Sequence, residues 1–208
     1  MTTIHLVRHG ETLWHAENRY AGSSDVALTA RGLEQADVLA GWVSRRVEEG
    51  VRFDAVVTST LSRAIITARA AAQVLGIEPR ADARLVEVDF GRGEGMTRTE
   101  MEGIFAEDLA AFLATPATVP LPGGERGLDA VARARAALGE IVSEHPDGTV
   151  LVVAHSTLTR IVLASMLGAE VERYREIFPA VGNCHVTSLE LAPDGRFALL
   201  AYNVPPTA

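Results

Sequence analysis

The sequence predicts an α/β protein: a three-layer α/β/α sandwich in which a mostly parallel central sheet is flanked by helices and carries a small helical lid insertion. Three observations lead there. Short apolar runs rich in β-branched residues alternate with stretches of helical periodicity along most of the chain. The ends of those runs coincide with charged or imidazole side chains, at the place where ligands bind in such sheets. The chain has 208 residues, 48% of them hydrophobic, enough to bury a substantial core as one domain.

Taken in order, Ile4 to Val7, interrupted by His5, reads as a short buried strand that ends at Arg8 and His9. Gly10 then permits a sharp turn that brings backbone close to a ligand. Glu11 to Asn18 is expected to begin a helix, followed by the polar loop Arg19 to Asp25, which contains Gly22. Thr29 reads as the N-cap of a helix reaching Gly50, with Leu33, Ala36, Leu39 or Ala40, Val43 and Val47 at helical spacing. Phe53 to Ser59 is the next strand, and a helix from about Leu61 to Leu75 is stopped by Gly76. A third strand is expected over Arg80 to Leu85, with Glu87 just beyond it.

Thr97 to Leu113 is helical, and Thr115 to Gly124 is a proline- and glycine-rich loop. The stretch from about 92 to 127 therefore reads as a lid excursion above the sheet, within a single domain spanning 1–208. Leu128 to His145 forms a long helix ended by Pro146-Asp147-Gly148. Thr149 to Ala154 is the most strand-like stretch, with His155 and Ser156 at its end and a helix through Leu167 behind it. His185 to Leu191 and Phe197 to Tyr202 form two strands joined at Pro193-Asp194-Gly195, a hairpin signal. That hairpin offers an edge strand for a possible homodimer.

Composition narrows the function. A formal net charge of −8 argues against a nucleic-acid surface, so phosphate recognition would need a local arginine cluster in an acidic protein. No run has membrane-spanning length and no signal peptide is visible, so neither nucleic acid nor membrane is expected as a partner and the expected location is cytoplasmic. All 19 basic residues are arginine, which removes Schiff-base, pyridoxal phosphate and Walker A chemistry. Cys184 is the only cysteine, so no intramolecular disulfide or multi-cysteine metal site forms.

Arg8 offers a rigid fork of donors matched to phosphate oxygens, and His9 a nitrogen that is nucleophilic when neutral. Arg63 falls in the first turn of its helix, where free amides favour anions. Each residue alone has a bland alternative: a solvated Arg63, a satisfied core His155, an ordinary loop carboxylate at Glu87. Together with Leu6-Val7-Arg8-His9-Gly10-Glu11-Thr12, Ser59-x-Leu61-x-Arg63-Ala64-x-x-Thr67-Ala68, Leu85-x-Glu87-x-Asp89-Phe90-Gly91-x-x-Glu94-Gly95, Pro122-Gly123-Gly124-Glu125 and Val152-Val153-Ala154-His155, the pattern resembles the histidine phosphatase superfamily, the phosphoglycerate mutase-like proteins. The similarity runs in order from residue 4 to about residue 190.

The resemblance implies a metal-independent phosphomonoester hydrolase that acts on small phosphorylated metabolites through a phosphohistidine, with no metal or organic cofactor. His9 would be the nucleophile and Glu87 the general acid, while Arg8, Arg63 and His155 surround the phosphoryl oxygens. His15, Gly22 and Ser156 are added as substrate-binding residues. Two of these depart from the family pattern: His15 stands where asparagine usually follows the tryptophan, and Ser156 where glycine usually follows Ala-His. Arg126, after Pro-Gly-Gly-Glu, is a further candidate contact. Few basic residues lie between Val88 and Gly127, which favours the phosphatase branch over cofactor-dependent mutase phosphotransfer. A non-catalytic regulatory protein of the same fold is the other alternative. A metal site on His5 and His9 lacks an acidic ligand cluster.

Overall fold

A computed structural model describes residues 1–207. Its twelve main elements run β1 (Thr2–Arg8), α1 (Ala30–Glu48), β2 (Ala55–Thr58), α2 (Ser62–Leu75), β3 (Arg80–Ala81), α3 (Arg98–Ala114), α4 (Gly127–Glu144), β4 (Thr149–Ala154), α5 (Ser156–Met166), α6 (Tyr174–Ile177), β5 (Val186–Leu191) and β6 (Phe197–Val204). One six-stranded sheet has the order β3-β2-β4-β1-β5-β6. The first four strands in that order are parallel, and the C-terminal hairpin adds two antiparallel strands beside β1. The sheet is therefore mixed, with the parallel part carrying the strand ends of interest.

Period-two burial builds the three layers. Ile4 and Leu6 of β1, with Val150 and Val152 of β4, face a core filled by α3, α4 and α5. Val7, Leu151 and Val153 face the opposite core, against α1 and α2. Both faces of β4 are covered, which is why its sequence is an uninterrupted apolar run.

Helix ends follow local chemistry. Thr29 accepts a hydrogen bond from the Gly32 amide and starts α1, a contribution of about 1 kcal/mol. Gly76, left-handed at φ 65°, ends α2. The buried face of α1 is Gly32, Ala36, Leu39 and Val43, so Leu33 and Val47, expected inside, are exposed. Both sit one step outside the stripe that meets the sheet.

Three expectations are corrected. Glu11 to Asn18 forms turns instead of a helix, because its backbone is committed sideways: Leu13 donates to Ala27, Thr29 donates to Glu11, and Thr12 bridges Leu28. Asn18 is left-handed at φ 53°, which helical continuation forbids. The third strand shrinks to Arg80–Ala81, after which Ala83–Leu85 is a single 3-10 turn capped by Asp82. Finally, Gly10 serves packing in place of ligand approach: a Cβ there would lie 2.4 Å from the Gly32 carbonyl oxygen, so the strand end docks on α1 only as glycine.

The excursion from 92 to 127 is folded into the main core. Met101, Phe105, Leu109 and Phe112 of α3 are buried with α4 and α5 residues. The helix breaks regular geometry at Phe105, which lets one face bend around that core. No described helix is long and apolar enough to cross a membrane.

Candidate active site

The carboxyl ends of β1, β2 and β4 lie side by side, and that adjacency gathers residues 8, 9, 63 and 155. A cavity of about 350 Å³ opens there, lined by Arg8, His9, His15, Glu87 and Ser156 among the predicted residues. His9 is buried, and its Nδ1 lies 2.7 Å from the carbonyl oxygen of Gly10. A carbonyl only accepts, so Nδ1 carries the hydrogen and Nε2 keeps its lone pair. Burial, then His155, Arg8 and Arg63, holds the His9 imidazole well below the usual histidine range. It is a neutral, oriented imidazole at physiological pH, with its Nε2 lone pair free.

Side chains named in the motifs fix their neighbours. Ser59 Oγ lies 2.8 Å from His155 Nε2, and the two rings of His9 and His155 are 5.1 Å apart. Burial, then Arg63 and Arg8, keeps His155 neutral as well. Thr67 accepts from the Gly10 amide and donates to the Arg63 carbonyl, tying α2 to the end of β1. Arg63 is fully buried and donates to the carbonyls of Ser24 at 2.6 Å and Gly22 at 2.7 Å. Arg8 donates to Val181 O at 2.6 Å, and burial lowers its guanidinium to about 10, still a cation near neutrality.

These cations are positioned by carbonyls, so no carboxylate consumes their charge. Among the described residues, three buried side-chain nitrogens have no hydrogen-bond partner: Arg8 Nε, Arg63 Nε and His155 Nδ1. Buried polar atoms without a partner are costly and uncommon. Of the three residues, Arg8 lines the cavity, whereas Arg63 and His155 are not among its lining residues.

Glu87 accepts from the amides of Val88, Thr157 and Leu158 at 2.8–2.9 Å, which pins its carboxyl at the N-terminus of α5. Its own segment is held from behind. Glu125 of the Pro-Gly-Gly-Glu motif pairs with Arg133 at 2.7 Å, and Arg133 donates to the carbonyls of Arg84, Val86 and Glu87.

Several expected contacts sit elsewhere. Gly22 is not among the cavity-lining residues; a Cβ there would meet Glu94 Oε1 at 2.3 Å and Val88 O at 2.4 Å, and its carbonyl serves Arg63. No residue from 92 to 127 lines the cavity, and Arg126 stands at the N-cap of α4. His5 bonds Ser188 and packs against Trp42 and Phe53, away from His9, so the two do not share a site. Among the described residues no cluster of three metal-ligating side chains occurs.

His15 does line the cavity. Its Nε2 is 2.5 Å from Arg8 Nη2 and 3.4 Å from Asn183 Nδ2, while Nδ1 is 2.8 Å from Thr12 Oγ1. Nδ1 also accepts from the Thr12 amide at 2.9 Å, so both ring nitrogens face N–H donors. Burial and then Arg8 lower the ring to about 4, so it is neutral at physiological pH.

Sequence reasoning missed Thr12, Thr157, Arg160, Tyr174 and Arg175, all of which line the cavity. Tyr174 and Arg175 lie on α6, four residues long, too short for periodicity to register. The available signal was composition: Arg160, Tyr174 and Arg175 put cations beside an aromatic near the end of a strand–helix unit.

The chain that carries this arrangement matches a known family. The model of the histidine phosphatase superfamily (branch 1) matches residues 4–205. Phosphoserine phosphatase 1 of Hydrogenobacter thermophilus is 31% identical over 174 residues, 84% of this chain and 80% of its own. The solved structure of Bacillus stearothermophilus YhfR superposes with a TM-score of 0.88 at 31% identity, covering 98% of both chains. A mycobacterial glucosyl-3-phosphoglycerate phosphatase in complex with VO3 superposes with a TM-score of 0.85 at 27% identity, covering 97% of this chain and 99% of its own.

The chain belongs to the histidine phosphatase superfamily. It is an enzyme of the phosphatase type with a histidine nucleophile, as that family is.

Proposed function

We propose that the protein hydrolyses phosphomonoesters of small metabolites through a phosphohistidine on His9. The observation that carries this is a buried histidine whose Nδ1 is tied to a carbonyl, leaving the Nε2 lone pair free, in a cavity it shares with the Arg8 guanidinium and the Glu87 carboxyl. A cationic guanidinium beside such a nitrogen suits a phosphoryl group.

In the first step the Nε2 lone pair of His9 forms a bond to phosphorus while the bond from phosphorus to the ester oxygen breaks. Glu87 delivers a proton to that oxygen, and the alcohol leaves. In the second step water attacks phosphorus and gives a proton to Glu87, the P–N bond breaks, and phosphate departs with His9 regenerated. Arg8, Arg63 and His155 stabilise the charge on the equatorial oxygens during both displacements. No metal or organic cofactor enters this scheme.

The test is phosphate release from a panel of sugar phosphates, phosphorylated hydroxy acids, a nucleoside-type phosphate and an aryl phosphate, with chelator present. Turnover is expected for the wild type, and His9→Ala is expected to lose at least about 10³-fold in kcat. Comparable release by the variant would overturn the assignment. Turnover seen only with phosphoglycerates and a bisphosphate primer would establish mutase phosphotransfer in its place.

A further inference from the structure

The cavity holds more positive charge than one phosphate requires. Arg8, Arg19, Arg160 and Arg175 line it, against Glu87 as the one carboxylate in the lining. Arg19 is already neutralised by Glu17 and Glu100, each at 2.7 Å. Arg8 belongs with the reacting phosphoryl group. Arg160 and Arg175 remain, and among the described residues neither has a carboxylate within 4.0 Å.

Both guanidiniums are held in place by neutral groups. Arg160 Nε donates to Phe178 O at 2.6 Å and Nη2 to Pro179 O at 3.2 Å, which leaves Nη1 uncommitted. Its Cζ lies 4.8 Å from the centre of the Tyr174 ring. Arg175 stacks on the same ring at 5.1 Å and on Phe112 at 4.9 Å. Tyr174 itself is 2% exposed, so it is a fixed platform. Two like charges sharing one aromatic ring repel each other, a cost that carbonyls and ring faces offset only in part. A ligand anion between them removes it.

We propose that Arg160 and Arg175 form a second anion subsite, and that the substrate is a phosphomonoester carrying an additional carboxylate or phosphate on its alcohol portion. The inference rests on the hydrolase reading above and specifies its substrate class. A planar guanidinium matches either oxyanion through paired N–H donors. The scissile group sits at His9 and the second anion at the α5–α6 side of the same cavity, so the subsite reads the leaving alcohol.

The experiment compares esters that differ in one group. In 3-phosphoglycerate a carboxylate replaces the hydroxymethyl group of glycerol 3-phosphate, and glycerol 1,3-bisphosphate carries a second phosphate at that position. For the wild type, kcat/KM is expected to be at least about tenfold higher for one or both anionic-tail esters than for glycerol 3-phosphate, mostly through KM. The preferred tail tells carboxylate from phosphate. Arg175→Gln is expected to collapse that ratio toward unity, and Arg175→Lys, which keeps charge without the fork, to restore part of it. A ratio near one in the wild type, or equal losses on charged and uncharged tails in Arg175→Gln, would overturn the subsite. Calorimetric binding of the three esters to His9→Ala reads the same ratio without turnover. The subsite therefore stands or falls there even if no ester is hydrolysed, whereas aryl phosphate turnover with no tail preference overturns the subsite alone.

Discussion

His15 shows how one atom's role follows from its neighbours. Its Nδ1 accepts from the Thr12 amide and its Nε2 lies 2.5 Å from Arg8 Nη2, so the ring braces the Arg8 guanidinium against the turn at 12–15. Removing the ring removes that brace. His15→Ala is expected to lower kcat/KM about tenfold, equivalent to about 1.4 kcal/mol, with the fold intact by circular dichroism; His15→Asn should recover part of the loss. Unchanged kinetics in the alanine variant would mean that Arg8 needs no such brace. That histidine was legible as a departure from the motif, but its neighbours were not, because one of them is Asn183, 168 residues away.

Loops that never touch the reacting atoms still set the geometry. Glu94 accepts from the amides of Ser23 at 2.6 Å and Ser24 at 2.7 Å and from both their hydroxyls, pinning the segment whose carbonyls hold Arg63. Those bonds hold the Glu94 carboxyl below the usual range despite the opposing effect of its partial burial. Glu94→Ala is expected to destabilise the protein by about 1–3 kcal/mol and to lower kcat/KM by more than tenfold. Urea unfolding and steady-state kinetics check the two effects separately, and a stability loss without a kinetic one would uncouple the loop from Arg63.

Where chain-local chemistry decides, the sequence was readable: Thr29 and Gly76 bound their helices within a residue or two, and β4 announced itself through six successive residues. Where distant segments decide, it was not. The turns at 13–18 exist because residues 27–29 pair with them, and α6 exists because Tyr174 and Phe178 are buried. The Arg8-His9 and His155 motifs were readable for the same reason as the strands, since each stands at the end of one. Arg160 and Arg175 carry no such mark.

Across the whole molecule, His5, His9 and His155 are buried and held below 6.5, His5 at about 4, chiefly by burial. Below pH 6.5 the unfolded chain takes up protons that these folded sites refuse, so stability falls as the pH drops from there toward the folded values. Above 6.5 both states are neutral and the effect vanishes. Each such histidine contributes a slope of up to about 1.4 kcal/mol per pH unit in that window. Unfolding free energies are expected to be level from pH 8 to 7 and to decline steadily from 6.5 to 5; a flat profile across the lower interval would show that these imidazoles titrate normally in the native state.

The carbonyl ties from Arg160 to Phe178 and Pro179 have an evolutionary consequence. They fasten that corner to the same short crossover whose Val181 carbonyl holds Arg8 and whose Asn183 amide donates to the His9 carbonyl. Mutational drift in that crossover moves the outer corner of the cavity and the end of β1 together, so descendants of a single ancestor diverge in diet only as far as their trade tolerates.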